Sequence, residues 1–211
     1  MKKIHLSRQA ICVMLVLLAL FAVLTVIVKT NDVLAFDQAV SQFVHSLRSD
    51  WLTPIVKTIT FSGNWEPIVV ICGLFLLLPA TRKSYGLPLA CGAATQVTFY
   101  QVIKNILQRP RPDAVNWLIE EHGFGFPSGH TMIGVVFFGL LALILWKEGK
   151  PKWISVLLLV WGVLVGLSRI YVGVHHPTDV LAGWCMGGII LVFWSQVFGL
   201  CPFQKKCGKD L

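Results

Sequence analysis

Residues 122–132 read HGFGFPSGHTM, and residues 133–146 continue as IGVVFFGLLALILW. Glycine, proline, serine and histidine thus crowd the mouth of a long apolar run. A loop accounts for the glycines and the proline, but not obviously for Ser128-Gly129-His130. Around this stretch the chain is mostly apolar: of 211 residues 55% are hydrophobic and 13% are charged, with a mean hydropathy of +0.72. A soluble domain carries about 25% charged residues, so the chain reads as one integral membrane domain spanning residues 1–211. The net charge of +8 does not argue for nucleic acid. That reading needs a basic face or stripe on a soluble module, whereas these cations lie between apolar blocks.

Six apolar segments are marked out, at roughly 11–28, 67–80, 86–106, 131–146, 153–171 and 180–200. A span needs about 20 residues, and the second segment is the weakest, so its ends are expected to extend into flanking polar sequence. The expectation is an all-α, polytopic six-helix transmembrane bundle. Between the first two segments, VLAFDQAVSQFVHSL (33–47) sets Val33, Phe36, Val40, Phe43, Val44 and Leu47 on one helical face. That pattern suits a helix lying at the membrane surface or over the bundle. Residues 1–35 resemble a signal peptide in their Lys2, Lys3 and Arg8 and in the VLA ending at Ala35. The uncharged 11–28 block is longer than the usual signal core, which favours a retained first helix. Cys12, Cys72, Cys91 and Cys185 sit in apolar blocks as packing residues, and the spacing of Cys201 and Cys207 matches no zinc pattern.

Basic residues orient the bundle. With the N-terminus cytoplasmic, Lys2, Lys3, Arg8, Arg82, Lys83, Lys147, Lys150, Lys152, Lys205, Lys206 and Lys209 fall inside. Lys29, Arg48, Lys57, Lys104, Arg109, Arg111 and Arg169 fall outside. The bias of eleven against seven predicts two cytoplasmic termini and places 122–132 on the outer side of the plasma membrane.

Three polar clusters then share that outer face. In KNILQRPRP (104–112), Lys104 and Arg111 are two helical turns apart, but Pro110 and Pro112 argue for a bend before Arg111. A basic membrane-border flank is the plainer account. In Pro127-Ser128-Gly129-His130, the backbone N–H groups lie at a helix N-terminus, which suits a phosphate, and Gly129 permits close approach. An ordinary serine cap with a bystander histidine is the plainer account there. In SRIYVGVHHPTD (168–179), Arg169 ends one helix and His175 stands four residues before Asp179. A carboxylate at that spacing can hold one imidazole nitrogen and leave the other as nucleophile or base. Asp179 can equally be a capping residue. Taken together, Lys104, Arg111 and Arg169 suit a phosphoryl group's charge and the histidines suit its transfer. The carboxylates are scattered, with no metal-ligand spacing, so neither a metal nor another cofactor is expected.

These residues resemble the type 2 phosphatidic acid phosphatase family, whose signature reads K-x6-RP, PSGH and SR-x5-H-x3-D. Lys104 to Pro112, Pro127 to His130 and Ser168 to Asp179 match every fixed position and both internal spacings. The matched region runs from 104 to 179, and the span layout extends the resemblance over nearly the whole chain. The resemblance implies a metal-independent lipid phosphatase at the extracytoplasmic membrane border. In it, His175 forms a phosphohistidine, Asp179 holds its tautomer, and His130 is general acid and then base. Lys104, Arg111, Ser128, Gly129 and Arg169 would bind the phosphoryl oxygens. Undecaprenyl diphosphate is the expected substrate, because so short a chain adds no second domain. Phosphatidylglycerophosphate or phosphatidic acid is the alternative, and a non-catalytic lipid-phosphate binder or transporter is a further one. The partners expected are the lipid substrate and the bilayer, with no nucleic acid and no expectation of oligomeric state.

Overall fold

The computed structural model describes residues 6–31 and 33–200. All regular elements among them are helical: α1 (Arg8–Thr30), α2 (Ala35–Ser46), α3 (Leu52–Phe61), α4 (Trp65–Leu77), α5 (Leu87–Leu107), α6 (Gly129–Lys147), α7 (Lys152–Tyr171) and α8 (Pro177–Val197). Short helical turns, Pro79–Thr81 and Arg82–Gly86, lead into α5. The helices α1, α6, α7 and α8 are each long and apolar enough to cross a membrane. The weak second segment is not one straight helix. It is the pair α3 and α4, bent by 48° at the Ser62-Gly63-Asn64 break, which together are long and apolar enough for a fifth span. At 21 residues, α5 is long enough, about 31 Å at 1.5 Å per residue. It is diluted by Thr95, Gln96, Thr98, Gln101, Lys104 and Asn105.

The bundle is organised around α6. Its Met132, Ile133, Val136, Phe137, Leu140 and Ile144 are buried in the main core, with Phe21 of α1, Leu89 of α5 and Met186 and Ile190 of α8. Lipid does not drive helices together as water does, so small residues that admit close backbone contact carry much of the packing. A Cβ added at Gly162 of α7 would lie 2.5 Å from the Gly134 carbonyl oxygen of α6. The two helices therefore meet backbone to backbone, at the π-helical turn Gly134–Phe138. Outside, Leu15, Val16, Val26, Leu77, Ile106 and Leu157 are all more than half exposed. Large aliphatic side chains left outward on every flank make sense only against hydrocarbon, and the protein is a membrane protein.

Ser7 caps α1 by accepting from the Ala10 N–H at 3.1 Å, and its own N–H donates to Gln196 Oε1 at 3.2 Å. The start of α1 and the end of α8 thus lie at the same end of the bundle. The amphipathic segment 33–47 forms α2 as expected, with Phe36, Phe43 and Leu47 turned outward and Val44 against a small core of Val56, Tyr171, Val172 and Val174. Its buried residue is an acid, Asp37. Cys72 and Cys185 are buried free thiols, Cys91 is half-buried and Cys12 faces outward. Cys201 and Cys207 lie outside the described residues.

Candidate active site

The three polar clusters converge at the end of the bundle where α5 stops and α6 and α8 begin. Helix α5 ends at Leu107, Gln108 takes a left-handed conformation (φ 49°), and Pro110 keeps the chain from resuming the helix. Lys104 therefore enters from the last turn of α5, and Arg111 from the loop beyond it. The Lys104 ammonium lies 5.2 Å from the centre of the Tyr100 ring. Arg111 is threaded between two segments. Its Nε donates to the Gly123 carbonyl at 3.0 Å, Nη2 to the His122 carbonyl at 3.0 Å and Nη1 to the Val174 carbonyl at 2.9 Å.

His175 precedes α8 and is buried at the head of the cleft. Its Nδ1 is 3.2 Å from Asp179 Oδ2, and its Nε2 is 3.1 Å from Arg111 Nη1. Arginine can only donate, so Nε2 carries a lone pair and Nδ1 carries the proton given to Asp179. Burial, then Arg111, Arg169, Lys104 and His130, hold the imidazole well below its ordinary titration range. A neutral ring with a held tautomer and a basic nitrogen is what an attacking histidine requires. Both accounts of Asp179 apply: it also accepts the His176 N–H at 3.0 Å and completes a capping box on α8.

At Pro127–His130 the two accounts divide by residue. The Ser128 hydroxyl is buried as the N-cap of α6, accepting from Thr131 Oγ1 at 2.9 Å and from its N–H at 3.4 Å. Gly129 and His130 line the cleft. A Cβ at Gly129 would stand 3.2 Å from the Tyr100 ring and press on it, so glycine keeps the helix terminus open there. His130 Nε2 lies 2.8 Å from Asn64 Oδ1; a carbonyl oxygen accepts, so this nitrogen bears the proton. Arg169, in the last turn of α7, is buried. Nη1 donates to Thr60 Oγ1 at 2.7 Å, Nη2 pairs with Glu121, and Nε has no hydrogen-bond partner among the described residues. Glu121 also lies 3.6 Å from Arg111.

The cleft at this site has a volume of about 860 Å³. Lys104, Arg111, Glu121, His130 and His175 line its polar end. An apolar arm runs between α4 (Ile68, Cys72, Gly73, Leu76) and α5 (Ala90, Ala93, Ala94, Val97). A second, polar cleft of about 570 Å³ reaches Arg111 and His175 from the side of α2, past Gln38, Gln42, His45 and His176. Among the described residues no three His, Cys, Asp or Glu side chains gather as metal ligands. Sequence reasoning had not placed Asp37, Thr60, Asn64, Arg109 or Glu121 here. The signal available for Asp37 and Arg109 was a charge inside or beside an apolar segment, which is costly unless paired.

Known proteins of similar sequence and fold give the family. Residues 85–201 match the sequence profile of the PAP2 superfamily. Phosphatidylglycerophosphatase B of Bacillus subtilis (strain 168) is 33% identical over 187 residues, covering 84% of this chain and 90% of that protein. An undecaprenyl-diphosphatase of Sulfolobus acidocaldarius is 29% identical over 198 residues, covering 90% of this chain and 93% of that protein. The crystal structure of the transmembrane PAP2 type phosphatidylglycerolphosphate phosphatase from Bacillus subtilis superposes with a TM-score of 0.76 at 31% identity, over 92% of this chain and 98% of that one. With these matches spanning the bundle and the converged clusters alike, the chain belongs to the PAP2 superfamily, among its membrane lipid phosphatases.

Proposed function

We propose that the protein hydrolyses undecaprenyl diphosphate to undecaprenyl phosphate through a phosphohistidine on His175, without a metal. The observation that carries this reading is a neutral imidazole, tautomer held by Asp179, whose Nε2 opens on a cationic cleft with an apolar arm. Nε2 attacks the terminal phosphorus, the Nε2–P bond forms, and the bond to the leaving phosphate oxygen breaks as His130, entering the step as imidazolium, gives up one proton and becomes neutral. Water then attacks the phosphorus, His130 takes its proton, and the Nε2–P bond breaks to free inorganic phosphate. Lys104, Arg111, Arg169 and the Gly129 N–H hold the phosphoryl oxygens, while the Ser128 N–H is taken by the Asp179 backbone carbonyl at 3.1 Å; each such donor is worth about 10²–10³ in rate. The Arg169 Nε, without a partner among the described residues, is a donor that such an oxygen would satisfy.

The apolar arm is a groove walled chiefly by α4 and α5, with Ile133 of α6, which suits a one-chain polyprenyl lipid. Phosphatidylglycerophosphate is the second reading, favoured by the 33% identical relative. Six spans, with α5 as the sixth, account for α1 starting and α8 ending at the same end of the bundle. Four of the seven outer cations (Lys104, Arg109, Arg111, Arg169) belong to the site and its buried support. The topological comparison is then eleven against 7 − 4 = 3, which supports cytoplasmic termini and an outward-facing site. The test is phosphate release by purified protein in detergent with EDTA, from undecaprenyl diphosphate, phosphatidylglycerophosphate and phosphatidic acid. Release fastest from the diphosphate and abolished in His175→Ala is expected. No release from any lipid, or undiminished release in His175→Ala, overturns the enzyme reading.

A further inference from the structure

We propose that Asp37 and Arg109 are positioning residues that hold the Asp179 carboxylate against His175. This rests on the assignment of His175 as nucleophile. Asp37 is wholly buried, although it lies on α2, whose large apolar side chains mostly face outward. Its Oδ1 accepts the Thr178 N–H at 2.9 Å, one of the donors that the first turn of α8 leaves unpaired. Its Oδ2 accepts from Thr178 Oγ1 at 2.8 Å and from Arg109 Nη2 at 2.8 Å. Arg109 in turn donates through Nη1 to Thr178 Oγ1 at 2.7 Å and to Asp179 Oδ1.

Both oxygens of Asp179 are therefore engaged. Arg109 takes Oδ1, while Oδ2 receives the His175 ring and the His176 N–H. A carboxylate gripped from both sides cannot rotate away from the imidazole. Arg109 supplies the far grip, and Asp37 fixes the plane of the Arg109 guanidinium, whose rigid fork gives it a direction as well as a charge. Arg109 also ties down the loop over the site, its carbonyl accepting the Gly125 N–H at 2.8 Å. Neither Asp37 nor Arg109 lines the cleft with the apolar arm. The pair acts on the nucleophile and leaves lipid binding alone.

The test uses full-length protein in detergent, with kcat and KM measured for D37N, R109K, D179N and the D37N/D179N double variant. Partners at one remove from a reacting group are typically worth about 10- to 100-fold, so D37N and R109K each lose kcat by that factor with KM held within about twofold. The double variant is no slower than D179N alone, because Asp37 acts only through Asp179. A wild-type kcat in both D37N and R109K overturns the proposal. So does a loss confined to KM, or a D37N effect equally large with Asp179 present or replaced. R109K keeps the charge while losing the fork, and gives the answer should D37N fail to fold. If His175→Ala keeps its activity, the nucleophile assignment has failed; if it is inactive and the double variant is additive, only the positioning role has.

Discussion

Replacing Glu121 with glutamine asks what the site does with its own carboxylate. Glu121 lines the cleft, pairs with the buried Arg169 and stands 3.6 Å from Arg111. It thus occupies, with one negative charge, the donors that a phosphate would use, and a substrate has to displace it. A hydrogen bond to a charged group contributes about 1.5–3 kcal/mol and a neutral one about 0.5–1.5 kcal/mol. The amide therefore weakens the contact to Arg169 by about 1 kcal/mol and the longer one to Arg111 by less. It also removes repulsion between Glu121 and the arriving anion. At 1.4 kcal/mol per tenfold, inorganic phosphate as a competitive inhibitor binds E121Q about 5- to 10-fold more tightly than wild type. The assay is inhibition of lipid phosphate hydrolysis by added phosphate at constant pH and ionic strength. A Ki that is unchanged or raised, with kcat preserved, refutes the reasoning: Glu121 would then be a fixed part of the cradle instead of its occupant.

Three further outcomes follow from the same geometry. The folded-state value of His175 is depressed, so the neutral form persists as pH falls below the ordinary histidine value of about 6.5 and is lost only lower. Nitrogen-15 spectra of labelled histidine, with His175 assigned from His175→Gln, show a neutral ring at about pH 6, and titration at or above about 6.5 counts against it. Gly73 lines the apolar arm, and a Cβ there meets nothing within 4 Å. Gly73→Phe therefore projects into lipid space: displacing two or three methylenes, at about 0.8 kcal/mol each, raises KM for a long-chain lipid about 30-fold and spares a short-chain soluble analogue. Equal effects on both would place the chain elsewhere. His130→Ala costs about 10²–10⁴ on phosphatidic acid but less on a diphosphate, whose leaving phosphate needs less help from an acid; equal losses on both substrates contradict the assignment.

What could be read in the chain was what is local. The spacing of His175 and Asp179 places them on one side of a helix start, and the 3.2 Å contact between them realises it. The apolar blocks predicted helices because a bilayer leaves the backbone no other partner. The proline pair in KNILQRPRP predicted the end of α5, and an amphipathic α2 followed from periodicity. The Ser128 hydroxyl, by contrast, serves as the helix cap, a choice that the stretch alone left open.

The remaining parts of the site depend on contacts that no spacing encodes. Asp37 meets Thr178 across 141 positions of chain, Arg169 meets Thr60 across 109, and His130 meets Asn64 across 66. In a membrane the outward face of a helix is as apolar as the inward one, so periodicity does not tell which side a polar residue faces. The break at Ser62-Gly63-Asn64 is visible as letters, but its 48° bend, which brings Asn64 to His130, is set by packing. By itself the sequence determined the apolar helices, the signature and His175 as the candidate nucleophile. The tertiary structure decided which buried charges meet around His175 and Asp179, because a charge taken out of water must be paired and its partner can come from anywhere in the chain.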